Sequence, residues 1–291
     1  MYDPDITAQE VAAATRLLQQ HPDSQQRWSL QYYTPAVIAA CIRHLDAIYD
    51  PDSGEITRAL SPDELRFIDN ERRLCALDYR HFLTNYVHII GWDKRDTLFT
   101  PNLAQEVVLE LWGDSESNGW AIMMQQLKAR QLGMTTLTEA AVLQRFQFRA
   151  RTYAVVASAD PFKTTEMATM IGYMWDHEPW WLKPNQVTYS KQIPTEIPEL
   201  TSKLKPQWGN MYHGVGRGQT PNVVHLSELS SWADAADDVD NALLKAMHPT
   251  PDVFFMMEST ALGRDNWWYD EWQILSVDFP EGRSPIRPLF L

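Results

Sequence analysis

Apolar and polar positions follow two periods along this chain, and the change of period marks its elements. Up to about residue 100 the spacing is helical. Ile6–Gln20 carries a helical apolar pattern. Thr34-Pro35 opens a second helix, with threonine as cap and proline in the first turn. Ser61-Pro62-Asp63-Glu64 is a capping box before a helical run to about Ile90, and the turn-rich Asp50–Gly54 separates the two. Thr100-Pro101 starts another helix over Asn102–Trp112. Beyond it, short apolar runs alternate with helices. Trp120–Met124, Arg151–Ser158, Val223–Leu226 and Val253–Met257 read as buried strands. Thr135–Phe146 reads as a helix with Leu137, Ala140, Ala141, Leu143 and Phe146 at helical spacing, and Thr164–Trp175 as another. Tyr189–Gly218, with prolines at 194, 198 and 206, reads as irregular. Trp180-Trp181 reads as a packed corner, and Trp267, Trp268, Tyr269 and Trp272 as core packing.

Alternation of strand and helix predicts an α/β fold, a mainly parallel central sheet flanked by helices with right-handed crossovers. Three parts are expected: a helical N-terminal subdomain over 1–98, serving as lid or as scaffold; a core over 99–278; and a proline-rich linker over 279–291.

Composition adds limits. The chain has 291 residues, 44% of them hydrophobic, and twelve tryptophans, enough for a sizeable core. No run approaches the ~20 apolar residues that cross a membrane. The start, MYDPDITAQE, is acidic and lacks a signal-peptide pattern. Cys41 and Cys75 lie in helical patterns and read as reduced core residues of an intracellular protein. The net charge of −13 is unevenly spread. Glu228–Glu281 has twelve acids and two bases, whereas Lys183–Arg217 has four lysines and one arginine against two glutamates. Contact with nucleic acid is expected in the second segment, since phosphates are met by Lys and Arg. The acidic run Asp234, Asp237, Asp238 and Asp240 fits either a metal cluster or a solvated helix N-terminus.

The chemistry is expected around Trp120–Thr136 (WAIMMQQLKARQLGMTT). Strand, polar loop and helix in that order present backbone N–H groups and a positive helix end to a phosphate. The pattern G-x-x-x-x-G-K-[ST] is broken twice. Lys128 stands at the first glycine and Met134 at the lysine, while Gly133 and Thr135 keep their places. A lysine at either end of so tight a loop reaches the same phosphates, so Lys128 supplies the cation that Met134 lacks. Taken alone, this pattern does not separate a phosphate loop from a plain strand-loop-helix.

Three segments in order, KARQLGMTT, GRGQTPNVVHLSELSSW (Gly216–Trp232) and MMESTALG (Met256–Gly263), together resemble the ATPase domain of the large terminase subunit, the DNA-packaging motor of tailed bacteriophages. The resemblance covers roughly Phe67 to Leu291. It implies a P-loop NTPase that uses ATP and Mg²⁺ to drive double-stranded viral DNA into a procapsid. Implied partners are duplex DNA, the portal protein, the small terminase subunit and further copies in a ring, in the host cytoplasm and without a membrane. It also implies roles. Lys128, Gln131, Gly133, Thr135 and Thr136 hold the nucleotide, Arg130 clamps phosphate oxygens, and Thr135 holds Mg²⁺. Gln105 contacts adenine. Glu228 activates water, and Arg217 reaches a neighbouring subunit's ATP. Ser227 replaces the family's metal-supporting aspartate and would hydrogen-bond a metal-bound water. Ser259, Thr260 and Ala261 couple hydrolysis to movement, and Asn266 senses the γ-phosphate. The family's nuclease domain would begin near Phe279, and its acidic ligands are not in this chain, so no nuclease activity is expected of it. Two rivals remain: a helicase-like ATPase, and a non-enzymatic interaction module whose nucleotide site has decayed at Met134 and Ser227.

Overall fold

The structure, a computed structural model, describes residues 30–208, 220–233, 235 and 239–291. The helix expected at Ile6–Gln20 lies outside these. In chain order the elements begin with α1 (Pro35–Asp46), the short hairpin β1 (Tyr49–Asp50) and β2 (Glu55–Ile56), α2 (Pro62–Leu77) and α3 (Tyr79–Tyr86). A second hairpin, β3 (His88–Ile90) and β4 (Asp96–Leu98), leads to α4 (Leu103–Ser117) and β5 (Ile122–Leu127). Then come α5 (Met134–Phe148), β6 (Tyr153–Ser158), α6 (Pro161–Asp176), β7 (Thr188–Ser190), β8 (Ile193–Ile197) and β9 (Ser202–Trp208). The last are β10 (Val223–Ser227), a helical turn over 239–246, β11 (Phe254–Ser259), α7 (Trp267–Asp278) and β12 (Arg287–Phe290).

The caps follow the sequence closely. Thr34 caps α1 with Pro35 in its first turn, and Ser61 and Glu64 form the reciprocal capping box of α2. The long helical run does not reach Ile90. It breaks at Asp78, whose carboxylate caps α3, and β3 and β4 follow.

One eight-stranded sheet forms the centre, in the order β12-β5-β11-β10-β6-β9-β8-β7. The five strands β5, β11, β10, β6 and β9 pair in parallel, and β12 joins β5 in parallel. The α/β architecture is therefore the one expected. Two segments differ. Residues 188–208 are not irregular but form β7, β8 and β9 and widen the sheet. Their prolines are tolerated because β8 meets β9 only at Ser202 and Lys203, so Pro206 lies where β9 has a neighbour on one side alone. Residues 279–291 are not merely a linker either. Arg287–Phe290 is an edge strand, and an edge accepts Pro288.

The core is organised around α5, which is buried on nearly every side. Leu137, Ala141, Val142, Leu143 and Phe146 pack with Phe82, Leu83 and Tyr86 of α3 and with Met124 and Met256 of the sheet. The N-terminal helices thus share one core with the sheet. The polar residues of α5 are buried too, and each reaches a different element. Gln144 Nε2 donates to the carbonyls of Cys75 (2.8 Å) and Ala76 (3.0 Å). Arg145 and Arg149 both donate to Glu116 Oε1, at 2.9 and 2.7 Å. Gln147 Nε2 donates to Glu178 Oε2 at 2.6 Å. Trp181 is buried against Phe67 and Tyr86, and Trp180 stacks on Tyr49, so this pair is a packed corner. Of the aromatics near the C-terminal helix, Trp268 is the fully buried one. Cys41 and Cys75 are free thiols. Among the described residues no helix is long and apolar enough to cross a membrane.

Burial raises the Glu178 carboxyl to about 8, against the opposing pull of the Gln147 amide and Lys183. An acid whose folded value exceeds its unfolded one favours the folded state while protonated and loses that contribution as pH rises through the folded value. Stability should therefore fall between about pH 5 and pH 8. In Glu178→Gln that slope should flatten, with a gain on the order of a few kcal/mol at pH 8; melting temperatures across this range check it.

Candidate active site

The loop between β5 and α5 sits at the C-terminal ends of the parallel strands, where α/β folds place ligands. Its root is tied on both sides. Lys128 N–H donates to the Ser259 carbonyl of β11 (3.1 Å), and Ala129 N–H to the Leu291 carbonyl beyond β12 (3.1 Å). Gln131 (φ 64°) and Gly133 (φ 69°) take left-handed backbone conformations, which turn the loop back onto α5. No side chain caps that helix start. Its first N–H groups, unpaired within any helix, therefore face the loop.

The expected loop residues divide by where they point. Met134 is buried in the core and cannot meet a phosphate. Lys128 is inward, its side chain 8% exposed. Arg130 and Gln131 are exposed, and Thr135 and Thr136 are half-buried. Gln105 is buried beneath the loop. Its Nε2 donates to the Gly133 carbonyl (2.8 Å), and its Oε1 accepts from Asn102 N–H (2.9 Å). Asn102 Nδ2 in turn donates to the Leu132 carbonyl (3.0 Å). Gln105 Nε2 thus braces the loop while its Oε1 closes the cap of α4, and an adenine contact would require them to let go.

Sequence reading missed the group on which the site converges, Glu258 at the end of β11. Its carboxylate, 1% exposed, accepts hydrogen bonds at Oε1 from the Thr135 hydroxyl and from Ser227 Oγ (3.0 Å). Lys128 Nζ lies 3.8 Å from Oε2, and His225 Nε2 lies 3.5 Å from Oε1. His225, on β10, also bonds through Nδ1 to Glu139 of α5 (2.6 Å). These are fully buried charges. Burial would raise the Glu258 carboxyl, but His225, Lys128 and the Thr135 hydroxyl outweigh it and bring it to about 2. Burial likewise opposes the His225 cation, yet the two carboxylates beside it raise the imidazole to about 9. Burial raises the Glu139 carboxyl above the usual carboxylate range, against the pull of His225. At neutral pH the centre therefore pairs an imidazolium with the Glu258 carboxylate, with Lys128 at its edge. The sequence did carry a signal: a histidine and a glutamate within otherwise apolar strands are seldom buried unless paired.

Glu228 follows β10 with φ 59° and ψ 38°, a left-handed conformation costly for a residue with a side chain. It is held there by its N–H to the Glu258 carbonyl (2.8 Å) and by Ser231 Oγ on its own carbonyl (2.7 Å). Its carboxylate caps nothing. Ser259 Oγ accepts from Ser230 N–H (3.1 Å) and donates to Ser230 Oγ (2.8 Å), which joins β11 to the turn after Glu228. Thr260 is half-buried and Ala261 exposed. Asn266 caps α7, accepting from Tyr269 N–H (3.0 Å), and donates to the Leu262 carbonyl (2.8 Å), so its amide is engaged within its own segment. Asp240 accepts from Trp267 Nε1 (2.8 Å) and holds α7. Arg217 and Asp234, Asp237 and Asp238 lie outside the described residues, and among the described ones no cluster of three or more acids, histidines or cysteines is set to hold a metal.

Two left-handed positions should respond oppositely to substitution. In Gly133→Ala a Cβ would stand 2.8 Å from Gln105 Nε2 and the backbone would be strained. A loss of about 1–2 kcal/mol is expected in denaturant unfolding. Glu228→Gly should instead raise stability by up to about 1 kcal/mol by relieving strain.

No family model and no curated protein matches the chain. Among solved structures, that of the HK97 bacteriophage large terminase is similar, with a TM-score of 0.56 and 15% identity over 74% of this chain. The match spans 43% of that protein, less than half its length. At this identity the likeness is one of fold: over the matched part, this chain shares the α/β fold of that large terminase.

Proposed function

We propose that this chain binds and hydrolyses ATP with Mg²⁺ and, as part of a phage-type packaging motor, drives double-stranded DNA into a procapsid. The observation that carries this reading is the convergence of Lys128, the Thr135 hydroxyl and Ser227 on one buried carboxylate, under an uncapped helix start and beside a strained Glu228 whose carboxylate caps no helix. A lysine, a hydroxyl at a helix N-terminus and an acid beyond them are what phosphoryl transfer to water requires. The residues suit Mg²⁺, since Glu258 Oε2 is a buried acceptor without a hydrogen bond and Thr135 adds a hard oxygen.

In this mechanism Lys128 and Arg130 neutralise phosphate oxygens, and the N–H groups from Gln131 to Thr136 cradle them. Thr135 would hold the metal, which when bound would supply positive charge beside the transferred group. Glu228 orients a water and takes its proton during in-line attack. Arg217 from a neighbouring copy would complete the charge. The Ser259–Ser230 link gives Ser259, Thr260 and Ala261 a path by which a change at Glu228 reaches β11. DNA would run along the face of β7–β9 and α6. A cleft of about 1020 Å³ there carries Lys191, Lys203 and Lys205 beside Trp208. Portal protein, small terminase subunit and a ring of copies in the host cytoplasm are the partners and setting that this role implies.

ATP turnover measured with and without duplex DNA tests the proposal. The wild type should turn over ATP faster with duplex than with single-stranded DNA; the reverse preference would favour a helicase-like motor. Lys128→Ala should lose nucleotide binding, and Glu228→Gln should bind ATP but hydrolyse it at least about a hundredfold more slowly. Absence of ATP binding by the wild type would leave a non-enzymatic module, which the buried Met134 would suit.

A further inference from the structure

On β10 the position beside Glu228 holds Ser227, so that strand offers no carboxylate to a metal on its own account. The neighbouring strand does. Ser227 and Glu258 are register partners on adjacent parallel strands, and β11, not β10, lies directly beside the loop-bearing β5. We propose that the metal-orienting carboxylate of this site has moved one strand over, so that Glu258 of β11 positions the divalent cation that accompanies a nucleoside triphosphate. This rests on the nucleotide reading above.

Three observations carry it. The Thr135 hydroxyl donates its proton to Glu258 Oε1, which turns an electron-rich oxygen toward any cation at the helix start. Ser227 Oγ donates to the same oxygen from 3.0 Å, so the serine on β10 holds the carboxylate in place. Glu258 Oε2 accepts no hydrogen bond although the side chain is only 1% exposed; Lys128 Nζ, at 3.8 Å, neutralises it without bonding it. A buried anionic oxygen left in that state is costly, and a metal-bound water would satisfy it. Glu258 is in this sense a positioning residue, acting on the cation through Thr135 and through water. The competing role is an ion pair that only closes the end of the sheet.

The test is the binding of a fluorescent ADP with EDTA and with Mg²⁺, and the electron paramagnetic resonance of Mn²⁺ with ADP. It uses the full chain, Glu258→Gln, Glu258→Asp, and the exchange Ser227→Asp with Glu258→Ser. In the wild type metal should tighten ADP binding and immobilise Mn²⁺. In Glu258→Gln the tightening by metal, read as the ratio of ADP affinities with Mg²⁺ and with EDTA for that same variant, should fall on the order of tenfold to a hundredfold. The exchange variant should recover it, because the carboxylate returns to β10 in register. Wild-type metal tightening in folded Glu258→Gln overturns the proposal. If that variant fails to fold by circular dichroism, Glu258→Asp decides: it keeps the charge but is one methylene short, and unchanged tightening there overturns it as well. Nucleotide binding by the wild type without any metal effect sinks this inference alone, whereas no nucleotide binding under any condition sinks the nucleotide reading beneath it.

Discussion

A helix buried on nearly every side must find partners for its polar side chains, and that constraint shapes this molecule. α5 starts at the loop and runs between the sheet and the N-terminal helices, carrying Glu139, Gln144, Arg145 and Gln147 inside. Each costs several kcal/mol if desolvated alone. Each therefore dictates a neighbour: His225 on β10, the end of α2, Glu116 on α4, and Glu178 after α6. Glu116 is the sharpest case, because one carboxylate oxygen meets two buried guanidinium groups. The apolar contacts hold the helix in the core, and these polar contacts fix its register and rotation. The position of the loop follows from both.

The same logic reaches the site. Glu139 fixes His225 from one side, and His225 faces Glu258 from the other. Lys128 closes the arrangement at its rim. From His225 through Glu258 to Lys128 charges of alternating sign stand in a row toward the loop, each less costly for having the next. A change anywhere in the row alters the field at the loop, since little water is present to screen it.

Much of the fold was readable because it is local. Caps at Thr34 and Ser61, and the alternation of β-branched runs with helical spacing, lie within windows of a few residues. What misled was also local. The prolines of 188–208 and of 279–291 suggested loops, yet an edge strand with one neighbour tolerates proline, and which strand forms an edge is settled only by tertiary pairing. In the site, the positions of Lys128, Thr135, Ser227 and Glu228 follow from segment order. Glu258 lies within the MMESTALG segment, but its role comes from residues 31 and 123 positions away, Ser227 and Thr135. Gln105 and Asn266 show the reverse: amides that spacing placed near a nucleotide spend both side-chain atoms on their own surroundings.

The Gln144 amide clasps the last carbonyls of α2, and apolar residues of α3 pack on the same helix. Residues 30–98 are thus a wall of the core rather than an attachment to it. Peeling them away would expose an amide, two carbonyls and an apolar flank together, so these helices and the sheet should melt as one cooperative body. A shortened version that begins at α4 would carry a sticky, half-open helix where its loop is meant to be held.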